Sequence, residues 1–565
     1  MEEKSTKKDN VPSIPIVETK NTGKKTTSDT ETDISDNKAA ATGSSVTEKQ
    51  NNNKSGANNT KRSTTGSRKK ADYNRDRERF RVYLRNMGFV ICAIAFIASV
   101  VMTVFVARIN FIPVKYVVLI DIVVMIILAW MVYLQNWITS GIIAKVVALI
   151  MAVTMILGCV YINFTYDKVN DMTGVTTKID AMNVFVMKDD PANNIEDAKD
   201  YTFGKLANID SVNTTAFVKS IEEELGKQIK TQDYTFVSDL IAALYNGEVQ
   251  AILLNGAYIS FVSGIEEYAN FENETKAIYQ MDIVSEIVDN GDNEDYLISG
   301  DKVFTIYVSG IDTRGSSPKV NSNSDVNILM TVNLETRQVL LISTPRDYYV
   351  PLSISNGVKD KLTHAGGYGI DVSVDTLEML YEVNIQDYIK INFTGFVDVI
   401  DELGGVTVYS DASFTTDDGV HVQEGYNDFD GEQALSFARE RHHVQGGDKG
   451  RGNNQMAVIE AVINKMASSQ MLKNYTDILD SLSDSMVTSM SYDKISELVK
   501  FQLNDMKSWD VVKYSVDGFD ASDVTFSAGS QQLYVMVPDE ETVRQAKNYF
   551  RQIYSNQKIV IKDED

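Results

Sequence analysis

The sequence predicts an α/β protein in which two folded domains are carried on three membrane-spanning helices. Two observations predict this class. Three long apolar segments follow one another within residues 86–165, and beyond them short apolar runs alternate with amphipathic stretches. Strands that alternate with helices along a chain are typical of an α/β sandwich around a mixed sheet. The length of 565 residues also exceeds a single core, because domains usually contain about 100–200 residues.

Residues 1–85 are predicted to form a disordered cytoplasmic tail. This segment is rich in Lys, Asn, Thr, Ser and acidic residues, and its apolar residues follow no period. Such a composition buries too little apolar surface to offset the chain entropy lost on folding. A basic cluster closes the tail, and its members are Arg68, Lys69, Lys70, Arg75, Arg77, Arg79, Arg81 and Arg85.

The apolar segments of residues 86–165 are predicted to be three transmembrane helices, at roughly 88–109, 117–138 and 142–161. A bilayer core of ~30 Å requires about 20 apolar residues in a helix, and each segment comes close to this length. Because basic residues favour the cytoplasmic side, the N-terminus is predicted to be cytoplasmic. Three crossings then leave the rest of a multi-pass cell-membrane protein outside the cell. If one segment does not span, this orientation reverses.

Composition excludes some functions for the part that follows the membrane segments. The net charge of −24 repels nucleic acid, so we expect no nucleic-acid partner. The two cysteines, Cys92 and Cys159, both lie in the apolar segments, and the soluble part therefore has no disulfide framework. The four histidines show no zinc-site spacing.

Residues 175–295 are predicted to form a smaller extracellular α/β accessory domain. The run 251–254 has the pattern of a buried strand, and 217–225 and 236–244 have that of amphipathic helices. The segment carries no chemical motif, and its acidic end at 289–295 is predicted to be a linker.

Residues 300–556 are predicted to form the second and larger α/β domain. Apolar runs of strand length alternate there with helical patterns, and Thr394 is predicted to cap a helix that ends at Gly404. The other elements predicted are strands at 303–309, 339–343, 388–391 and 406–409 and a helix at 373–381.

Charged residues recur at the ends of these elements. Asp312 follows the first strand, Asp325 precedes an apolar run, and Arg346 ends a further strand. The planar fork of arginine suits a pyrophosphate, and carboxylates suit a hard cation such as Mg²⁺. Acids together with arginines are the equipment expected for phosphoryl transfer. A second group of such residues comprises Arg439, Arg441, Asp448, Arg451 and Gln455.

Arg451 and Gln455 are four residues apart and share a face if their segment is helical. An apolar stripe continues this helix and is predicted to face the core; it comprises Val458, Ile459, Val462, Ile463 and Met466.

Each cluster taken alone also has a simpler interpretation. Asp312 suits a turn, and Asp325 suits a helix N-cap. Arg346 and Asp347 suit a surface ion pair, and residues 439–441 suit a solvated charged face. Their repeated placement at element ends within one domain favours a functional site.

Residues 303–466 resemble the catalytic domain of the LytR-CpsA-Psr family. The three N-terminal spans and the intervening accessory domain are similar to its capsule-associated, streptococcal type. The matching segments occur in the order and at the spacing of the family, and they are GIDTRG, SNSDVNILMTVN, LLISTPRDYYV, KLTHAGGYG, INFTGFVDVIDELGGV, GEQALSFARERH and DKGRGNNQ.

The resemblance implies a phosphotransferase that attaches an anionic glycopolymer to peptidoglycan from a polyprenyl pyrophosphate carrier. It implies that Asp312 and Asp325 hold Mg²⁺, and that Asp448 is a general base or orients an arginine. It also implies an apolar tunnel for the prenyl chain, which residues 328–332 and 393–400 either line or simply support as core. The residues implied in pyrophosphate binding are Arg346, Arg439, Arg441, Arg451 and Gln455, with Arg439 and Arg451 also catalytic.

Two departures from the family pattern are expected to reduce positive charge at the site. Asn323 and Asn454 stand where the family often has arginine. An alternative function is a non-enzymatic membrane sensor or scaffold that binds lipid-linked polymer. A transcriptional role, suggested by older naming of the family, is disfavoured by the acidic charge and the membrane spans.

Overall fold

The computed structural model describes residues 64–175, 177–207, 209–287, 302–311, 317–468 and 486–561. Its N-terminal part consists of three long helices, each long and apolar enough to cross a membrane. This confirms the three predicted membrane helices. They are α1 (Thr64–Ile109), α2 (Val114–Leu134) and α3 (Ile138–Met172).

Helix α1 begins earlier than the sequence predicts. Residues 64–85 were assigned to the disordered tail, but they are helical. Long Arg, Lys and Glu side chains lose little rotamer freedom in a helix. Extending an existing helix costs less than nucleating a new one, so the apolar span supports its polar continuation. The rest of the predicted tail, residues 1–63, lies outside the described residues.

The segment after the membrane helices forms a five-stranded mixed sheet with the order β3-β2-β4-β1-β5. Its helices include the two predicted amphipathic ones, which confirms them. The strands are β1 (Thr177–Met187), β2 (Thr202–Leu206), β3 (Lys230–Tyr234), β4 (Ala251–Asn255) and β5 (Thr275–Glu286). The helices are α4 (Ser211–Leu225), α5 (Val237–Tyr245), α6 (Ile259–Ser263) and α7 (Phe271–Glu274).

A six-stranded mixed sheet, ordered β16-β11-β6-β7-β8-β17, forms the centre of the larger part. Strand β6 runs parallel to β11 and antiparallel to β7. This confirms the predicted sandwich around a mixed sheet. The strands are β6 (Val303–Ile311), β7 (Val326–Asn333), β8 (Gln338–Ser343), β11 (Asp387–Asn392), β16 (Met486–Thr488) and β17 (Asp510–Ser515).

Helices and short hairpins complete this part. The helices are α8 (Leu362–Tyr368), α9 (Ile370–Tyr381), α10 (Phe393–Glu402), α11 (Gly431–Arg439), α12 (Asp448–Met466), α13 (Tyr492–Asp505) and α14 (Glu540–Tyr554). The short strands are β9 (Tyr349–Pro351), β10 (Lys359–Lys361), β12 (Val406–Ser410), β13 (Phe414–Thr415), β14 (His421–Val422), β15 (Gly425–Phe429), β18 (Gly518–Val524) and β19 (Gln532–Pro538).

The predicted domain bounds of 175–295 and 300–556 stay predictions. Residues 76–565 form one compact unit, in which Ile179 of β1 bridges to Val320. The predicted linker at 289–295 lies outside the described residues.

The two faces of the central sheet differ. Successive residues of a strand point to opposite faces. Tyr307 and Leu340 belong to a closed core that Leu377 of α9 and Phe550 of α14 also enter. Their neighbours in sequence, such as Ile306, point the other way, towards α12 and α13. We call these the closed face and the open face.

Two capping predictions are wrong. The side chain of Asn392, not Thr394, caps α10, because Asn392 Oδ1 accepts the backbone N–H of Gly395 at 2.8 Å. Asp325 does not begin a helix. Its backbone N–H donates to the carbonyl of Gly310 at 2.8 Å, so the apolar run that follows it is a strand of the sheet.

The turn between α1 and α2 contacts α13. Tyr492 Oη donates to the carbonyl of Ile109 at 2.8 Å, and Lys115 Nζ donates to Asn504 Oδ1 at 2.7 Å. The turn and the part that follows α3 therefore lie on the same side of the three helices. Two spans between the turn and that part, α2 and α3, produce this arrangement.

Candidate functional site

A cavity of about 750 Å³ separates the open face from α10, α12 and α13. The sheet contributes apolar side chains, among them Phe304, Ile306 and Val308 from alternate positions of β6. Phe396 of α10 and Leu498 of α13 contribute to the wall from the helical side. The cavity therefore has the apolar character that an aliphatic ligand requires.

Charged residues of the wall come from the start of β7, the end of β8, the end of α11 and the first turn of α12. The structure brings together six of the predicted site residues here, since all six line the cavity. They are Asp325, Arg346, Arg439, Arg441, Arg451 and Gln455. Asp448 lines a smaller recess that shares Asp325, Arg346, Arg451 and Gln455 with the cavity. Asp312, which follows the last residue of β6, lies outside the described residues.

Carboxylates hold two of these arginines. Arg346 Nη1 lies 3.0 Å from Asp325 Oδ1, and Arg346 Nε lies 3.4 Å from Asp347 Oδ2. Arg451 Nη2 lies 2.6 Å from Asp448 Oδ1. Arg346 and Asp347 do form the predicted ion pair, but their side chains are only 30% and 14% exposed, so the pair is partly buried at the cavity wall and does not lie on the open surface.

Burial and neighbouring charges act in opposite directions on the pKa values of these groups. Burial raises the pKa of the Asp448 carboxyl above its ordinary value, although Arg451 opposes this effect. Burial also lowers the pKa of Arg451, against the influence of Asp448. At Arg346 burial acts to lower the pKa, but the carboxylates of Asp325 and Asp347 outweigh it and raise the pKa. Both guanidinium groups remain charged, because arginine is not deprotonated in proteins.

The N-terminus of α12 lies at the charged end of the cavity, where the wall carries both arginines and carboxylates; the carboxylates are Asp325, Asp417, Asp418 and Glu440. A Cβ at Gly452 would lie 2.5 Å from Ser343 Oγ, so the first turns of the helix pack closely on the end of β8, and a larger residue there would require the Ser343 side chain to move. Backbone N–H groups and the helix dipole favour anions at such an end. Arg451 and Gln455 both reach the cavity wall from α12, which confirms the predicted shared face.

The apolar stripe on α12 was predicted to face the core, and this is only partly right. All five residues of the stripe line the cavity. Val458 is fully buried among core side chains, whereas Ile459 and Ile463 are half-buried. A periodic pattern of apolar residues indicates which face of a helix is shielded from water. It does not show whether that face contacts a packed neighbour or a cavity. The other two proposed lining segments are similarly mixed, because Met330 and Phe396 line the cavity while Leu329 belongs to the closed core.

Glu440 is a residue whose role the sequence did not indicate. Its buried carboxylate accepts the backbone N–H groups of Asp417 (2.7 Å), His442 (2.7 Å) and His443 (2.9 Å). Burial acts to raise the pKa of Glu440, but these three hydrogen bonds outweigh it and hold the pKa below its ordinary value. The interpretation of residues 439–441 as a solvated charged face is therefore wrong at Glu440.

The same loop brings possible metal ligands together. Ligand atoms of Asp417, Glu440 and His442 lie within 4.8 Å of one another. His442 Nδ1 lies 2.6 Å from Asp417 Oδ2. Both Glu440 oxygens already accept hydrogen bonds from backbone N–H groups. We therefore interpret the cluster as a structural one that stabilises the loop. Asp417 lies 23 residues from Glu440, and no short-range motif in the sequence predicts their contact.

Asn323 and Asn454 are not among the described residues that line the cavity. Asn454 Nδ2 instead donates to the carbonyl of Phe437 at 3.0 Å. The expected reduction of positive charge by these two departures stays a prediction.

The predicted magnesium site is described in part. Asp325 presents a carboxylate on the cavity wall, and one of its oxygens already contacts Arg346. Carboxylate oxygens are the ligands that Mg²⁺ prefers, so the chemistry of this residue fits the ion.

The larger part of the chain is similar to known proteins and to one family model. The model of the LytR_cpsA_psr family matches residues 261–550, about half of the chain. A polyisoprenyl-teichoic acid–peptidoglycan teichoic acid transferase TagU of Enterococcus faecalis is 33% identical over 219 residues, which is 39% of this chain and 72% of the relative. A Bacillus cereus protein of the same name is 34% identical over 236 residues, 42% of this chain and 76% of the relative. The crystal structure of B. subtilis TagV is 26% identical, covers 46% of this chain and 99% of its own, and has a TM-score of 0.38.

Proposed function

The chain belongs to the LytR_cpsA_psr family, and from that premise we propose that it transfers an anionic glycopolymer from a polyprenyl pyrophosphate carrier to peptidoglycan. One observation carries the proposal: a single cavity joins a long apolar wall to four arginines. That combination matches a ligand with an apolar chain and a multiply charged head. The names of the TagU relatives support the same reaction class. The polymer would be a capsular polysaccharide or resemble teichoic acid.

In this proposal the prenyl chain lies along the open face and the pyrophosphate lies at the arginine end. A peptidoglycan hydroxyl attacks the phosphorus that carries the sugar. The bond between this phosphorus and the oxygen that bridges the two phosphates breaks. Polyprenyl phosphate leaves, and the hydroxyl proton passes to a base. Arg346, Arg439, Arg441 and Arg451 stabilise the charge that develops, and Gln455 donates a further hydrogen bond. Asp312 and Asp325 would hold Mg²⁺, which would supply neutralisation of the phosphate charge when bound.

Asp448 has two proposed roles, as the base or as the residue that orients Arg451. The 2.6 Å contact between Asp448 Oδ1 and Arg451 Nη2 supports the orienting role. A carboxylate held against a guanidinium fixes the direction in which the fork presents its other donors.

We also propose that the N-terminus is cytoplasmic and that the catalytic part lies outside the cell. The basic cluster before the first span supports this orientation. A membrane-impermeant maleimide should label a Val358→Cys variant in intact cells, in a chain that lacks Cys92 and Cys159. Val358 is exposed on the catalytic part. Labelling that requires lysis would contradict the orientation.

The transferase is tested with the purified full-length protein in phospholipid vesicles. Lipid-linked anionic polymer, peptidoglycan glycan strands and Mg²⁺ are added, and polymer attached to glycan is measured together with released polyprenyl phosphate. We expect both products, and we expect an Asp325→Ala variant to form neither while remaining folded. If the wild type binds the donor and releases no polyprenyl phosphate with acceptor present, the protein is a sensor or scaffold instead.

A further inference from the structure

The turn between α1 and α2 contributes a residue to the wall of the cavity. Phe111 is 5% exposed and lines the cavity, although it belongs to the membrane-anchoring part of the chain. Its ring packs on Tyr492 of α13, with ring centroids 5.2 Å apart. Met486, Ile495 and Val499 join the same cluster. The cavity therefore reaches as far as the turn that connects the first two membrane helices.

Hydrogen bonds on both sides of Phe111 fix this turn on the catalytic part. Each joins the turn or the start of α2 to α13. They are Tyr492 Oη to the carbonyl of Ile109 (2.8 Å), Lys500 Nζ to Asn110 Oδ1, and Lys115 Nζ to Asn504 Oδ1 (2.7 Å). A side chain that is held from both directions forms a defined part of the wall.

Phe111 lies where the cavity meets the membrane helices. On one side its ring contacts wall residues of α13, and on the other the chain enters α2, whose first residue Val114 is exposed. A cavity of about 750 Å³ lies within the range of about 300–1,000 Å³ that encloses a drug-sized ligand. A polyprenyl chain is longer than such a ligand, so part of it must leave the cavity. An apolar chain leaves towards lipid and not towards water.

We propose that Phe111 forms the membrane-side opening of the cavity and that the prenyl chain passes over its ring into the bilayer. This proposal rests on the proposed function, because it takes the ligand to be lipid-linked. Residues of the α1–α2 turn are then part of the substrate site, and the membrane helices position the opening at the leaflet in which the carrier resides.

The rival role for Phe111 is purely structural, with the ring anchoring the turn on α13. The two roles differ in their dependence on prenyl length. A structural defect lowers turnover of every donor. Loss of a contact at the opening weakens only the donor whose chain is long enough to reach it.

The first experiment uses the full-length protein in phospholipid vesicles. A Phe111→Ser variant is compared with the wild type on two donors, one with a full-length polyprenyl chain and one with a geranyl chain. We expect a roughly ten-fold higher KM for the long donor, since a buried aromatic contact with an apolar ligand is lost. We expect no change in kcat and no change for the geranyl donor. Ile112→Ser is the matched control, because Ile112 is 40% exposed and is not among the described residues that line the cavity.

The second experiment needs binding alone, so it separates this proposal from the transferase. A photoreactive benzoylphenylalanine replaces either Phe111 or Ile112, and radiolabelled polyprenyl phosphate in the vesicle is the probe. We expect crosslinking to the prenyl chain from position 111 and little from position 112. Equal crosslinking from both positions would overturn the role of Phe111. An equal rise in KM for the long and the geranyl donor in the first experiment would overturn it as well. Crosslinking without any transfer by the wild type would leave the opening in place and refute the transferase.

Discussion

The closed and open faces of the central sheet come from the same strands and differ in what covers them. On the closed face, side chains of α9 and α14 fill the space against Tyr307 and Leu340. On the open face, α12 and α13 leave a cavity of about 750 Å³ above Ile306 and its neighbours. One well-packed face thus stabilises a sheet whose other face is available to a ligand. Substitutions on the two faces should therefore have separable effects on stability and on turnover.

The largest effect is expected at the polar end of the open face. Arg451→Ala should reduce polymer transfer by about 10²- to 10³-fold, because one charge-stabilising donor is lost. Arg451→Lys should recover only part of this loss, since lysine keeps the charge without the fork. Arg451→Ala should also lower the unfolding temperature, because it leaves the Asp448 carboxylate without its partner. Transfer is therefore measured at a temperature at which circular dichroism shows both variants folded. Arg551→Ala, in an exposed ion pair on α14, is the control. Full turnover by Arg451→Ala would remove this residue from the site.

A matched pair of leucines compares the apolar parts of the two faces. Leu340→Ala on the closed face should destabilise the protein by about 2–5 kcal/mol, because it creates a new void in a packed core. Leu498 borders a cavity that already exists. Leu498→Ala should therefore lower the free energy of unfolding by only about 1 kcal/mol. Denaturant unfolding of the detergent-solubilised proteins measures both. If both variants lose the same free energy of unfolding, the open face is packed as tightly as the closed face.

The last comparison concerns Lys390, which lies on β11 between two cavity-lining residues and points to the closed face. Its Nζ donates to the carbonyl of Val320 at 2.8 Å. Burial lowers the pKa of Lys390 to about 7, although Asp180 acts to raise it and Lys178 adds to the lowering. The closed face therefore holds a lysine that is partly neutral at physiological pH.

The sign of the pH dependence follows from this pKa. An unfolded lysine keeps its proton up to about pH 10.4, whereas folded Lys390 loses it near pH 7. Between these values the unfolded state binds more protons, so stability rises with pH. Lys390→Met should flatten this rise. Melting temperatures of both proteins between pH 7 and pH 9 measure the difference, and an unchanged slope would show that other groups cause it.

The sequence was sufficient where local pattern decides structure. The apolar runs located the three membrane helices, and the motif order placed Arg346, Arg439 and Arg451 at element ends that prove to face one cavity. It was insufficient where distant segments meet. The stripe with Ile463 looks the same whether a side chain or a cavity lies opposite, and the contact between Phe111 and Tyr492 joins residues far apart in the chain. At the start of α10, Asn392 and Thr394 are both plausible caps, and only the backbone geometry decides between them.

The buried carboxylate of Glu440 has a consequence for how an anionic polymer approaches the cavity. Three backbone N–H groups hold this carboxylate in place, and among the described residues it forms no ion pair with Arg439 or Arg441 beside it. The part that follows the membrane helices is more acidic than the whole chain with its net charge of −24, because the N-terminal tail is basic. It repels a polyanion at long range, while these arginines attract it only at short range. With a Debye length of ~8 Å at physiological ionic strength, salt screens the distant repulsion more than the close contacts. The association rate of an anionic donor should therefore rise with moderate salt, which is the reverse of the usual behaviour of an arginine-lined site.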